Sequence, residues 1–294
     1  MKAGFIGLGA MGWGMAANLA KAGLLASVWN RSGDKARSFA AEHGVQAAAE
    51  PAAVASASDV IITCVSADAD VLAVIDALLP ALKAGQVVVD TSTVSVDTAR
   101  EAARRVEAAG ARFLDCPVSG GTEGARNGQL VMMAGGDADV LERIRPLLAP
   151  MTKAVTHMGA VGAGQATKAV NQIMAAGINQ AVTEALAFGQ SMGLDMVKVI
   201  GVVGGGAAGN WFLSHRGPTM TQGVFQPGFK VALHHKDLNI CKQMAEAQGV
   251  VMPVVEMTLL HYQRLMNAGF GDEDISALYR LKQEMFAKGN KKSL

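Results

Sequence analysis

The sequence predicts an α/β protein: a doubly wound N-terminal domain over residues 1–161 and an all-α C-terminal domain over 162–294, joined by a long helix. Three observations carry this expectation. The apolar run Ala3 to Ile6 enters a glycine turn, Gly7-Leu8-Gly9-Ala10-Met11-Gly12, which opens a helical pattern through Met15 and Leu19. Short apolar runs then alternate with helical stretches as far as Met158. Everything after Gly162 reads helical, beginning with a segment from Gln165 to Met192 that would be roughly 40 Å long at 1.5 Å per residue.

The glycine turn sits where a Rossmann-type domain needs it, between a first strand and a first helix. Glycines there let the backbone turn sharply and approach a pyrophosphate, which then rests on the amides and dipole of the helix N-terminus. Gly7, Leu8, Gly9, Ala10, Met11 and Gly12 are therefore the first cofactor-binding candidates. Ala26 to Trp29 supplies the second strand, and at its end a carboxylate commonly bonds the ribose 2′-hydroxyl of NAD. This chain has Asn30, Arg31 and Ser32 instead. A 2′-phosphate meets no repelling carboxylate in that tripeptide and can pair with Arg31 and accept from Ser32, so NADP is preferred over NAD.

Val60 to Cys64, Val87 to Asp90 and Phe113-Leu114 continue the strands, with Ser95 to Ala109 among the intervening helices. Ligands in such sheets lie beyond the carboxyl ends of the strands, which puts Cys64, Val65 and Thr93 at the cofactor's border. The next stretch, Asp115 to Gly128, is rich in glycine. Its Ser119-Gly120-Gly121 turn can aim amides and a hydroxyl at a small carboxylate, and equally fits a plain loop.

Gly162 to Gln172 opens the long helix and carries one charge, Lys168. Gly164, Lys168 and Asn171 or Gln172 fall three or four residues apart, so an ammonium and an amide share a face beside the space of a missing side chain. The segment is apolar on most faces, which predicts burial against another domain or subunit and hence an oligomer. Further helical patterns cover Asp195 to Val203, Leu233 to Gln248, Val254 to Ala268 and Asp274 to Lys288. Ala208 to Pro218 reads as a connection whose Trp211, with Phe229 further on, either caps a pocket or fills the core. His234-His235 has no third ligand at metal spacing, so no metal is expected, and Lys236-Asp237 reads as an ordinary exposed pair.

Composition narrows the partners. With 26 basic and 25 acidic residues the net charge is +1, without runs of one sign, so neither nucleic acid nor a membrane surface is an expected partner. Three widely spaced cysteines fit a reducing compartment. The five glycines from Gly4 to Gly14 argue against a secretory signal, and Lys168 and Glu184 punctuate the apolar middle, so a cytoplasmic protein is expected.

Gly4 to Gly12, Asp115 to Gly128, Gly162 to Gln172 and Lys236-Asp237-Leu238 together resemble, in order and spacing, the four signature regions of the β-hydroxyacid dehydrogenase family. The resemblance covers essentially the whole chain. It implies hydride transfer between a nicotinamide cofactor and a small 3-hydroxy acid or its semialdehyde, with Lys168 as the catalytic lysine and Asn171 orienting the substrate. Ser119, Gly120 and Gly121 then hold the substrate carboxylate, Thr93 and Lys236 border the nicotinamide, and Gln172, Trp211 and Phe229 join the substrate-binding set. It further implies a C-terminal domain that closes over the cofactor, NADPH preference as in the family's semialdehyde reductases, and a homodimer or homotetramer. Asn210, where many relatives have serine, and Gln172, where some have a second asparagine, are departures that bear on substrate specificity. A 6-phosphogluconate dehydrogenase-like decarboxylating enzyme would continue the lysine segment with a His-Asn pair, which is absent here, and related imine reductases do not keep the lysine. The reading from another class is a non-catalytic nucleotide-binding oligomeric scaffold.

Overall fold

The structure, a computed structural model, describes residues 1–290, with side chains to 287. Residues 291–294, the last of the expected C-terminal domain, lie outside the described residues. The chain forms two compact units, the first from Met1 to Lys168 and the second starting at Ala169.

The first unit is built on nine strands: β1 (Ala3–Ile6), β2 (Leu25–Trp29), β3 (Gln46–Ala47), β4 (Val60–Thr63), β5 (Val87–Asp90), β6 (Arg112–Asp115), β7 (Val118–Ser119), β8 (Leu130–Gly136) and β9 (Thr152–Gly159). Between them run α1 (Gly12–Lys21), α2 (Gly33–His43), α3 (Pro51–Ser56), α4 (Asp68–Leu78), α5 (Val96–Ala108), α6 (Gly121–Asn127) and α7 (Ala138–Leu148). The sheet order β3-β2-β1-β4-β5-β6 is parallel throughout, the arrangement of a dinucleotide-binding sheet. β8 then adds antiparallel to β6 and β7 and parallel to β9. β1, β4 and β5 are buried along their full length, which explains why they read as unbroken apolar runs rather than alternating ones. Successive residues still part by face: Phe5, Ile62 and Val89 belong to one core cluster, while Ile6, Ile61 and Val88 belong to another.

The stretch Asp115 to Gly128 is more regular than its glycines suggested. Ser119 ends β7, and Gly121 starts α6, so the Ser119-Gly120-Gly121 turn joins a short strand to a short helix. Gly120 at φ 134° and Gly121 at φ 64° occupy backbone that favours glycine.

α8 (Ala163–Ser191) is 29 residues long, roughly 43 Å, and its residues up to Lys168 belong to the first unit. The second unit takes the rest of α8 with α9 (Met196–Gly204), α10 (Trp211–Thr221), α11 (Val231–Glu246), α12 (Pro253–Asn267) and α13 (Leu278–Asn290). Its core gathers Ala176, Val182, Leu186, Phe212, Leu238, Tyr262 and Tyr279. One expectation is corrected here: Trp211 to Pro218 is helix, not connection. Asn210 caps α10, its side-chain oxygen accepting from the Leu213 amide at 2.9 Å, and Pro218 lies inside the helix. Among the described residues no helix is long and apolar enough to cross a membrane.

Candidate active site

The glycine turn shows three different reasons for glycine. At Gly7, with φ 97°, an added Cβ would stand 2.1 Å from the Cys64 carbonyl oxygen, so this residue permits a tight turn against the end of β4. A Cβ on Gly12 would meet the Gly7 carbonyl oxygen at 1.9 Å, so Gly12 lets α1 start against the turn. A Cβ on Gly9 would meet nothing within 4 Å. That open side, at the N-terminal end of α1, is the cradle a pyrophosphate needs, and the turn therefore fits a nicotinamide dinucleotide.

Asn30 supports this turn from behind. Its Oδ1 accepts from the Leu8 amide at 2.9 Å and its Nδ2 donates to the Ser32 carbonyl at 3.2 Å, so one side chain holds both the turn and the end of β2. Arg31 reaches across to Asp70 of α4, 2.9 Å away, with its side chain 84% exposed. An exposed pair of this kind is weak, which leaves the guanidinium available for exchange onto a phosphate. Ser32 is exposed beside it.

Loops at the ends of β4 and β5 are tied together. Asp90 Oδ1 accepts from Thr63 Oγ1 at 2.7 Å and from Ser92 Oγ at 2.6 Å, and Ser92 Oγ in turn accepts from the Val65 amide at 2.9 Å. Cys64 and Val65 therefore share one network with the segment carrying half-buried Thr93.

The start of α8 is organised around Asp115, at the end of β6 and fully buried. Its Oδ1 accepts from the Gly162 amide at 2.8 Å and its Oδ2 from the Gln165 amide at 2.9 Å, so the carboxylate caps α8 from the sheet. Burial pushes the Asp115 carboxyl up to about 6, helped by the nearby Asp90, while the two amides pull it down. The space beside Gly164 is filled by backbone. A Cβ there would stand 2.5 Å from the carbonyl oxygens of Asp115 and Met133, so this glycine lets the helix press onto the sheet. Held in this way, Lys168 is 8% exposed and its Nζ donates to the Val118 carbonyl at 2.9 Å. Val118 is the residue before Ser119. The ammonium and the Ser119-Gly120-Gly121 turn, whose preceding residue Val118 stands 50 positions before Lys168, are thus brought together.

In the second unit, Asn171 Nδ2 donates to Gln172 Oε1 at 2.7 Å, and Gln172 Nε2 donates to Asp237 Oδ2 at 2.7 Å. Lys236 Nζ lies 2.9 Å from Asp237 Oδ1. Asp237 is 5% exposed, so Lys236-Asp237 is not the surface pair its sequence suggested. Gln172 is buried with both ends of its amide engaged, so it holds the Asn171 amide from one side and Asp237 from the other. His234, also buried, bridges the Tyr262 hydroxyl at 3.0 Å and the Gln172 carbonyl at 3.1 Å, and Asn179 donates to the same hydroxyl at 2.9 Å. These partners give His234 a structural task. Trp211 is 57% exposed and stacks on His215 at 4.4 Å, whereas half-buried Phe229 lies 5.1 Å from the His234 ring. The Phe229 amide donates to Asp274, a buried carboxylate that also receives the Gly228 amide and the Arg216 guanidinium.

Known proteins place this arrangement. The family model for the NAD binding domain of 6-phosphogluconate dehydrogenase matches residues 2–159, and that for NAD-binding of NADP-dependent 3-hydroxyisobutyrate dehydrogenase matches 162–282. The 2-hydroxy-3-oxopropionate reductase of Escherichia coli (strain K12) is 41% identical over 258 residues, 86% of this chain and 87% of that protein. The chain belongs to the β-hydroxyacid dehydrogenase family. Among solved structures, Mycobacterium tuberculosis 3-hydroxyisobutyrate dehydrogenase with L-serine superposes with a TM-score of 0.86 at 33% identity, covering 95% of this chain and 98% of that one. A complex of Psf3 with NADP+ and 2-OPP gives a TM-score of 0.84 at 26% identity, covering 95% and 99%. This β-hydroxyacid dehydrogenase is accordingly an NAD(P)-dependent oxidoreductase of the 3-hydroxyacid dehydrogenase and semialdehyde reductase class. Asp115 and Gln165 are the site residues that sequence reasoning passed over. They lie in the stretches Asp115 to Gly128 and Gly162 to Gln172, where the only signal for them is a carboxylate and an amide among glycines with no local partner.

Proposed function

We propose that this enzyme interconverts a short 3-hydroxy acid and its semialdehyde, with Lys168 as the proton carrier and NADP as the preferred cofactor. The observation that carries the proposal is the Lys168 ammonium on the Val118 carbonyl, one residue before the Ser119-Gly120-Gly121 turn. A carboxylate held by that turn puts the rest of a three- or four-carbon substrate within reach of Nζ. The bound cofactor supplies or accepts the hydride at the substrate carbon. In reduction Lys168 gives its proton to the carbonyl oxygen as the C–H bond forms; in oxidation the neutral amine takes the hydroxyl proton as that bond breaks. Asn171, one helical turn after Lys168, orients the substrate oxygen, with Gln172 fixing its amide. Thr93 and Lys236 border the nicotinamide, and Trp211 and Phe229 set substrate size.

NADP preference is supported by Arg31 and Ser32 at the end of β2. The expected outcome of Arg31→Ala is a rise of about tenfold in the Michaelis constant for NADPH, from a lost charge-assisted pair, with that for NADH moved less than about twofold. Equal changes for both cofactors would remove Arg31 from the assignment. A panel of glyoxylate, short semialdehydes and 3-hydroxy acids with each cofactor tests the whole reading, which requires turnover of at least one short semialdehyde or 3-hydroxy acid. Absence of turnover across the panel contradicts it.

Assembly as a homodimer or homotetramer is supported by α8, which leaves Val170, Met174, Ile178 and Phe188 exposed along its length. Three cysteines without a disulfide are compatible with work in the cytoplasm.

A further inference from the structure

Gln165 makes three polar connections from one buried position. Its backbone amide donates to Asp115 Oδ2 at 2.9 Å, as part of the cap on α8. Its side chain crosses to the segment after β5, where Nε2 donates to the Ser92 carbonyl at 2.8 Å and Oε1 accepts from the Val94 amide at 3.2 Å. The residue between those two contacts is Thr93. Gln165 is 2% exposed, so neither bond is readily replaced by water. Three residues further along the same helix stands Lys168, whose ammonium is on Val118.

We propose that Gln165 is a positioning residue that clamps the Ser92–Val94 segment to the first turn of α8, so that Thr93 at the nicotinamide border and Lys168 at the substrate oxygen keep one fixed register. The side-chain amide suits this task because it holds a donor and an acceptor side by side on one carbon, matching a carbonyl and an N–H on either side of a single residue. A hydrocarbon of the same length satisfies neither group. A carboxylate satisfies the Val94 amide and repels the Ser92 carbonyl, until it is protonated and regains a donor. Ser92 is itself fixed by Asp90, so displacement of the clamp is felt at Thr93 rather than along the whole loop.

The inference rests on the assignment of Lys168 and Thr93 above, and the test separates the two. Dissociation constants are measured for NADPH and NADH, and for their fragments 2′-phospho-ADP-ribose and ADP-ribose, which lack the nicotinamide. Hydride transfer is followed in single turnover with the best substrate of the panel. Gln165→Leu is expected to slow hydride transfer about tenfold and to weaken the dinucleotides several-fold, while leaving the fragments within about twofold. Gln165→Glu is expected to show the same defect at pH 8 and to recover toward wild-type rates as the pH falls to 5, with no such recovery in the leucine variant. Lys168→Ala, run beside them, loses turnover and keeps dinucleotide affinity; normal turnover there sinks the lysine assignment without touching the dinucleotide-against-fragment contrast. Unchanged rates and affinities in both Gln165 variants, or equal weakening of dinucleotides and fragments, would overturn the positioning role. Should the leucine variant fail to fold, the pH recovery of the glutamate variant decides alone, and its absence overturns the proposal.

Discussion

The two ends of the polar part of α8 are held by opposite means. From Gly162 to Lys168 the helix is fixed chiefly at backbone: Gly164 has no side chain where one would strike two carbonyls, a single buried carboxylate accepts two amides, and the one crossing side chain, Gln165, itself bonds backbone groups. From Asn171 to Asn179 it is fixed by side chains, through the chain Asn171, Gln172, Asp237 and Lys236 and through His234 and Tyr262. Backbone contact at van der Waals limits gives a geometry with little room to move, which is what a proton carrier needs. A side-chain relay gives a geometry that can be retuned one residue at a time, which suits groups that choose among substrates.

The contrast breaks most sharply at Gly164. Gly164→Ala puts a Cβ 2.5 Å from two carbonyl oxygens, and an overpacking cost of about 3 kcal/mol should lower the melting temperature by about 10 °C. A thermal melt within a few degrees of wild type would show that the start of α8 is not held as tightly as described.

Asp115 gives the next largest effect, on pH dependence. Its carboxyl is raised to about 6 in the folded protein, against about 4 in an unfolded chain. The folded state therefore keeps its proton longer than the unfolded state. The contribution to stability is complete below about pH 4 and is lost as the pH rises through about 6, a change of up to about 3 kcal/mol. Unfolding in urea across pH 4 to 7 should show this slope in the wild type and a shallower one in Asp115→Asn. Parallel slopes for the two proteins would mean the cap is not the titrating group.

The smallest effect belongs to the side-chain end. Gln172→Leu removes the acceptor of Asn171 and the neutral donor of Asp237, which should cost about 1–2 kcal/mol of stability and lower kcat/KM about tenfold, with cofactor affinity unchanged. A loss as large as that of the lysine variant would erase the distinction between the two ends.

The fold was legible because its signals are local. The glycine turn, the unbroken apolar runs of β1, β4 and β5, and the helical stretch from Ser95 to Ala109 each declare themselves within a few residues. The antiparallel addition of β8 was not, since pairing with β6 and β7 is decided by packing far along the chain. α10 was hidden because Gly217-Pro218 looks like a breaker, although Pro218 is accommodated within the helix. At the site, Lys168 stood out as a lone charge in an apolar helix. Asp115 and Gln165 did not, because their partners lie 47 to 73 residues away. Asp237 is buried although Lys236-Asp237 reads as an exposed pair, because adjacency in sequence carries no information about burial. Helical spacing shows that Gly164 leaves a space beside Lys168 but not what fills it, and the filling is backbone.

The central claim is that Lys168 carries the proton, and single-turnover hydride transfer by Lys168→Ala tests it most directly, with and without added methylamine. The account predicts a loss on the order of 100-fold or more, unchanged dissociation constants for NADPH and NADH, and partial recovery of the rate with the amine. Near-normal hydride transfer, or a loss of cofactor affinity that matches the loss of rate, would contradict it.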